Sequence, residues 1–384
     1  MALVPVHIAL DNDEQTLIDA VGEFARNELL PLDRAWDRGD GCIDDVLPRL
    51  AEMGLMNLVV PVSEGGLGCA YHTYAAILHE LAVSSPATAV TIGVHSQVGD
   101  ILERFAGAAI HRDILTHWGS AEHFAAFCLT EAGAGSDAAG AKTSAVEVDG
   151  GYRITGEKMW VSNGLSARWF LTICRLEGAP QGDQFCALLV ERSADGLSIG
   201  EIPGKMGIRG SKTAVVHFDG VMVPEDRLVG EKGQGLSVAL SSLGKSRVGI
   251  AAQASGIAEA CLTEMVRYAR EREQFGTTIG KFQAVSNMIA DSAVELEAAK
   301  ALIWRAATGI DRGEFDRRAT SMAKLYASEA ANRIAYRAVQ VHGGTGYVQE
   351  CRVEQLYRDA RITSIYEGTS EIQRLLIARE LAKL

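Results

Sequence analysis

The chain has 384 residues, 47% of them hydrophobic and 22% charged, with a formal net charge of −12. That length holds two or three domain-sized units of ordinary globular composition. The acidic balance excludes a general nucleic-acid binder or a binder of anionic membrane surfaces, and leaves room for anionic small molecules at a local basic site.

Residues 1–120 read as helical. "EQTLIDAVGEFARNELL" places Leu17, Val21, Phe24 and Leu29 near helical spacing, with Pro31 as the expected stop. "YHTYAAILHELAV" and "PATAVTIGVHSQVGDILERFA" give two more helices, with the glycine-rich turn "PVSEGGLGCA" ahead of them. The texture changes over 121–230. "FAAFCLT", "RWFLTICRL", "QFCALLVER" and "AVVHFDGVMV" are short and rich in β-branched and aromatic residues, and "EVDGGYRI" reads as a hairpin. Over 231–384 long alanine-rich amphipathic stretches return, and a segment from Ser370 supplies a fourth helix, which predicts a bundle. Helices, then strands, then helices argue for a segregated α+β, mostly α chain rather than alternating βαβ units.

The seven cysteines are scattered, odd in number and form no C-x-x-C, so neither a disulfide framework nor a zinc site is expected. The N-terminus lacks signal-peptide regions, its first basic residue is Arg26, and no run reaches the ~18 apolar residues of a membrane span. The expectation is a cytoplasmic protein with no membrane insertion.

Several motifs carry chemistry. "TEAGAGSDAAG" resembles a dinucleotide fingerprint, but strand-like sequence follows where the Rossmann form needs a helix. A structural glycine turn and a different cofactor loop both remain open, the latter with the hydroxyls of Thr130 and Ser136. In "EKMWVSNG", Trp160 and Ser162 sit at i and i+2 and face one side of a strand, where a ring and a hydroxyl could meet a planar ligand. "REREQFG" puts Arg270, Arg272 and Phe275 at a helix end, either a solvated terminus or a phosphate site. "VQVHGGTGY" ends a helix in glycine, as a C-cap would. "HELAV" lacks the second His of a zinc helix, and no G-x-S-x-G elbow is present.

Taken together in order, "CLTEAGAGSDAAG", "GEKMWVSNG", "MGIRGSKTAVVHFDGVMVPEDRLVG", "REREQFG", "VQVHGGTGYVQE" and "IYEGTSEIQRLLIAREL" resemble the acyl-CoA dehydrogenase family over essentially the whole chain. The resemblance implies a fold: an N-terminal all-α domain (1–120), a middle orthogonal β-sheet domain (121–230) and a C-terminal four-helix bundle (231–384). It implies FAD as cofactor. Phe127, Leu129, Thr130, Gly135, Ser136, Trp160, Val161 and Ser162 would contact the flavin on the β-domain side. Arg272, Gln274, Phe275, Gln283, Gln340, Gly343 and Gly344 would reach the FAD of a neighbouring subunit in a homotetramer, a dimer of dimers. Thr369 and Glu371 would lie on the FAD side of the last loop. Ser136, Gly244, Arg247, Tyr366, Glu367 and Gly368 would contact the substrate.

The resemblance also implies a reaction. Glu367 would be the base that removes the pro-R α-hydrogen of an acyl-CoA while the β-hydrogen leaves as hydride to flavin N5, giving the trans-2-enoyl-CoA. The backbone N–H of Glu367 and an FAD ribitol hydroxyl would polarise the thioester carbonyl. Electrons would pass to an electron-transfer flavoprotein, in fatty acid β-oxidation, lipid metabolism or branched-chain amino acid catabolism. Burial beside Tyr366 would raise the pKa of Glu367; a helix N-terminus capped by Ser370 and Gln373 would lower it, and the sequence does not decide between them.

Three positions depart from the family pattern. Gly244 stands where Asp is common, which puts a polar contact to the pantetheine or acyl portion in question. Gln355 replaces a basic residue, an expected change in a surface or interhelix pair, and Thr278 replaces a proline. Ser246 occupies the position from which isovaleryl- and long-chain-type members supply their glutamate, so the base stays at Glu367. "LIWRAA" and "RITSIYEGTSEIQR" look most like short-chain and short-branched-chain members. The alternatives are a dehydrogenase of carrier-protein thioesters, an oxidase-like relative, and a flavin-bearing or silent scaffold that acts only by binding partners.

Overall fold

The structure is a computed structural model that describes residues 10–180 and 184–382. The expected domain spans include residues 1–9, 181–183 and 383–384, which lie outside it.

Helix α1 (Asn12–Phe24) opens with a capping box, in which Asp11 accepts from the N–H of Glu14 and Glu14 answers to the N–H of Asp11. Pro31 does not stop this helix. Residues Ala25–Leu29 widen into a π-turn in which the N–H of Leu30 reaches the carbonyl of Ala25, and α2 (Leu30–Asp37) continues with Pro31 in its first turn. The first turn has no intrahelical use for the missing N–H of Pro31, so the widened turn absorbs what an α-helix interior would not. Short α3 (Leu47–Glu52) leads to α4 (Tyr71–Ser84), α5 (Pro86–Phe105) and α6 (Ala108–Asp113).

The sheet domain holds β1 (Ala125–Cys128), β2 (Ser144–Val148), β3 (Gly151–Ser162), β4 (Trp169–Leu176), β5 (Phe185–Glu191), β6 (Leu197–Glu201), β7 (Thr213–Pro224) and β8 (Leu228–Val229). Their order is β6-β7-β3-β2-β4-β5-β8, with β1 parallel to β4. The expected "EVDGGYRI" hairpin is β2–β3, turned at Asp149 and Gly150. In β4 the side chains alternate between two cores: Trp169, Leu171 and Ile173 face α5 and α6, while Phe170 and Cys174 face β3 and β7. Both faces are covered, which is why this strand is a continuous apolar run.

The C-terminal part runs α7 (Gly235–Glu271), the two-residue strands β9 (Glu273–Gln274) and β10 (Thr277–Thr278), α8 (Gln283–Asp311), α9 (Arg317–His342), α10 (Arg352–Ile362) and α11 (Ser370–Ala382). Helix α10 is a fifth C-terminal helix that the four-helix reading omits. Its charged sequence hides a buried face of Val353, Gln355, Leu356, Asp359 and Ala360. Gln355 bridges Arg34 and Asp33 of α2 (2.5 and 2.7 Å) in the interior, so it belongs to an interhelix pair and not to the surface.

One core joins the N-terminal helices to the C-terminal bundle. Helices α4 and α7 lie so close that a Cβ on Gly256 would sit 2.4 Å from the carbonyl oxygen of His79, and one on Gly249 would sit 2.8 Å from the Tyr74 hydroxyl. These two glycines, two helical turns apart, set the approach that closes the site described next.

Candidate active site

Between α10 and α11 the chain reverses through Glu367 (φ 54°) and Gly368 (φ 90°). A glutamate in the left-handed region costs roughly 1–2 kcal/mol, which the surrounding contacts must hold. At Gly368 a Cβ would also meet the Gln373 amide at 2.7 Å, so glycine is required there. Buried Lys324 donates to the carbonyl of Gly368 (2.7 Å), and the Gln373 amide donates to the carbonyls of Glu367 (3.2 Å) and Gly368 (2.9 Å). The cap of α11 differs from the expected Ser370–Gln373 box. Thr369 Oγ1 accepts from the N–H of Ile372 (3.3 Å), while Gln373 is engaged with the turn.

The turn aims the Glu367 carboxylate at α7, where Ser246 Oγ donates to Oε2 (2.7 Å). Burial raises the pKa of Glu367 above its ordinary value, opposed by the Ser246 hydrogen bond and by the charges of Arg247 and Lys324. The direction left open by the sequence is thus upward. Burial likewise pushes Lys324 down to about 8 and Arg247 down to about 10. The Tyr366 hydroxyl bonds Gln253 of α7, which in turn donates to the carbonyl of Pro86 (2.8 Å) and so ties the turn to the start of α5.

Lys324 carries no sequence signal beyond an ordinary helical lysine, yet it pins the turn. Replacing it with Met is expected to slow any reaction of Glu367 about ten- to hundredfold through misplacement, with a small change in melting temperature. A variant with unaltered rate would remove Lys324 from this positioning role.

Glu367 and Ser246 face a cleft walled by Tyr74 and Leu78 of α4, Val94 and Gln97 of α5, and Gly249 and Ile250 of α7. Gly244 lies elsewhere on α7, where a Cβ would come 2.6 Å from the Phe315 ring. The aromatic tip occupies space that an Asp side chain would need.

Two of the segments expected at the flavin, residues 129–130 and 160–162, lie side by side. The N–H of Met159 bonds the carbonyl of Thr130 (2.8 Å), and Lys158 bonds the carbonyl of Leu129 (3.0 Å) and the carboxylate of Glu131 (2.8 Å). These bonds hold Leu129 and Thr130 beside a bulge in β3, and there Trp160 takes φ 59° and is 55% exposed. Ser162 follows, while Val161 points into the core. No helix follows Gly133–Gly140; a short 3-10 turn leads straight to β2, which excludes the Rossmann form. A large ring held open in a strained backbone, beside hydroxyls and a glycine-rich loop at Gly135 and Ser136, fits a planar cofactor.

Arg272, Gln274, Phe275 and Gln283 surround the β9–β10 turn, and the stacking of Tyr268 on His342 brings Gln340, Gly343 and Gly344 alongside (4.3 Å between rings). This second group is not at Glu367. Ser246 and Arg272 are both on or next to α7, 26 residues apart, or about 39 Å along its axis.

A sheet domain between helical domains, with a single carboxylate facing a largely apolar cleft and an exposed ring beside a glycine-rich loop, fits an enzyme that acts on an apolar substrate beside a planar cofactor. Family models for the acyl-CoA dehydrogenase N-terminal, middle and C-terminal domains match residues 11–122, 126–221 and 233–382. The chain belongs to the acyl-CoA dehydrogenase family, whose members are FAD-dependent oxidoreductases. It is 37% identical to the mouse short-chain specific acyl-CoA dehydrogenase over 378 residues, which cover 98% of this chain and 92% of that protein. It is 36% identical to the CarC subunit of the caffeyl-CoA reductase–Etf complex of Acetobacterium woodii, covering 94% of this chain and 96% of that one. The solved structure of butyryl-CoA dehydrogenase from Megasphaera elsdenii superposes with a TM-score of 0.94 at 31% identity, covering 97% of this chain and 99% of that chain. No helix among the described residues is long and apolar enough to cross a membrane.

Proposed function

We propose that the protein oxidises a short acyl-CoA to its trans-2-enoyl-CoA, with Glu367 as the base. The observation that carries this reading is a carboxylate of raised pKa, fixed by Ser246 and Lys324 at the mouth of an apolar cleft. A thioester α-proton is weakly acidic, and a base with an elevated pKa is the better acceptor. FAD, when bound, supplies the acceptor for the hydride that leaves the β-carbon with its electron pair. Glu367 takes the α-proton on a carboxylate oxygen, and its own N–H would donate to the thioester carbonyl as enolate charge grows. Tyr366, bonded to Gln253, anchors the residue next to Glu367.

The likeness to short-chain and butyryl-CoA dehydrogenases supports a short acyl chain. The Etf-complex relative supports an electron-transfer flavoprotein as electron acceptor. The separation of Arg272 from Glu367 supports a homotetramer in which that residue serves a neighbouring subunit's FAD.

The test is an anaerobic titration of the yellow protein with butyryl-, isobutyryl-, 2-methylbutyryl-, hexanoyl-, octanoyl- and palmitoyl-CoA. Bleaching by the short members is expected; bleaching by palmitoyl-CoA alone would overturn the chain-length reading. Ser246→Ala adds a pH prediction. Only ionised Glu367 accepts the proton, so flavin reduction rises as pH passes through its raised pKa. The variant loses a hydrogen bond to the charged form, worth about 1.5–3 kcal/mol, and the rising limb moves to higher pH. A limb that stays in place would show that Ser246 does not tune the base.

A further inference from the structure

Two cavities meet beside Glu367. The second lies between α4, α5 and the first half of α7, and shares Tyr74, Gln97 and Ser246 with the acyl cleft. Its wall mixes aromatic and aliphatic surface from Tyr71, Tyr74 and Val59 with the polar groups of Ser96, Asp100, Ser242 and Lys245. Gln97 stands where the two cavities join and is only 5% exposed, yet its Nε2 is buried with no hydrogen-bond partner among the described residues. Ser96 Oγ is in the same condition. A buried polar group left unpaired costs about 1–3 kcal/mol, and two of them border one chamber.

The charges around the chamber define what fits there. Asp100 accepts from the Tyr71 hydroxyl (3.0 Å), Arg104 (2.9 Å) and Lys245 (3.2 Å). An incoming carboxylate would compete with Asp100 for Lys245. An ammonium group would join two cations around one carboxylate that already has three donors. An uncharged oxygen meets neither difficulty, and the Gln97 amide can turn its donor or its acceptor end toward it.

We propose that this side chamber takes an uncharged, oxygen-bearing group on the acyl chain, with Gln97 as the specificity-determining residue. The substrate class is then a short acyl thioester carrying an ether, hydroxyl or carbonyl oxygen beyond its β-carbon. This rests on the reading of the site as an acyl-thioester dehydrogenase.

The experiment compares two isosteric thioesters, 4-methoxybutyryl-CoA and hexanoyl-CoA, by half-saturation of anaerobic flavin bleaching in the intact FAD-loaded protein. The methoxy substrate is expected to half-saturate at about five- to tenfold lower concentration, the value of one neutral hydrogen bond. In Gln97→Leu the preference should pass to hexanoyl-CoA, because an apolar wall rewards the methylene. Should Gln97→Leu fail to fold, Ser96→Ala and the wild-type ratio carry the test. A wild-type preference for hexanoyl-CoA, or a ratio unchanged in the variants, overturns the proposal while leaving the dehydrogenase reading intact. Bleaching by neither of these nor by butyryl-CoA overturns both.

Discussion

Glu367→Gln is expected to give a yellow protein that still binds thioesters but whose flavin is reduced about 10²- to 10⁴-fold more slowly, the usual contribution of a positioned base. The substitution is nearly isosteric. Ser246 can still donate to the amide oxygen, and the bonds from Lys324 and Gln373 fall on backbone carbonyls, so the turn keeps its shape. What is lost is the proton acceptor. The pH profile separates this from a geometric fault. Wild-type reduction rises with pH through the raised pKa of Glu367, whereas the variant has no carboxylate there and should be flat over that window. Stopped-flow reduction with butyryl-CoA, alongside the thioester-induced shift of the flavin spectrum, measures both quantities. A variant reduced at the wild-type rate would take the role of base away from Glu367.

The parts of this site legible in the sequence are those fixed by local pattern. Glycine-punctuated strands, long alanine-rich helices and the Tyr-Glu-Gly step each announce a backbone geometry. The parts that escaped depend on partners far along the chain. Lys324 reads as a helical lysine until the turn 44 residues away is seen to rest on it. Gln97 reads as a polar position on a helix until two cavities are found to meet there. Helix α10 was missed because its polar positions, Gln355 and Asp359 among them, are buried by partners on α2 and at Ile208. Pro31 misled for the opposite reason: the rule that proline ends a helix is local, and a π-turn ahead of it satisfies the rule without ending the helix. The pKa of Glu367 could not be settled from sequence because it is a balance of burial against Ser246, Arg247 and Lys324, and Lys324 was not in view.

Arg272→Ala is expected to weaken FAD retention by tenfold or more, since a guanidinium on a phosphate or other anionic group contributes about 1.5–3 kcal/mol. Arg272 and Phe275 are both exposed. Phe275 is 94% exposed and held at φ 54°, with the turn closed by the bond from Ile279 N–H to the Arg272 carbonyl (2.8 Å). A strained, exposed aromatic beside an exposed arginine is open to an occupant, about 39 Å along α7 from the Ser246 that steadies Glu367. If the occupant is the FAD of a neighbouring subunit, the two lesions complement each other. Subunits carrying Arg272→Ala keep Glu367, and subunits carrying Glu367→Gln keep Arg272. Co-expressed and purified as mixed oligomers, they should form some sites with both residues intact. Activity should then exceed the sum of the two parent variants assayed separately under equal FAD. Activity no greater than that sum would mean that Arg272 serves its own chain or none, and the shared-site assembly would have to be abandoned.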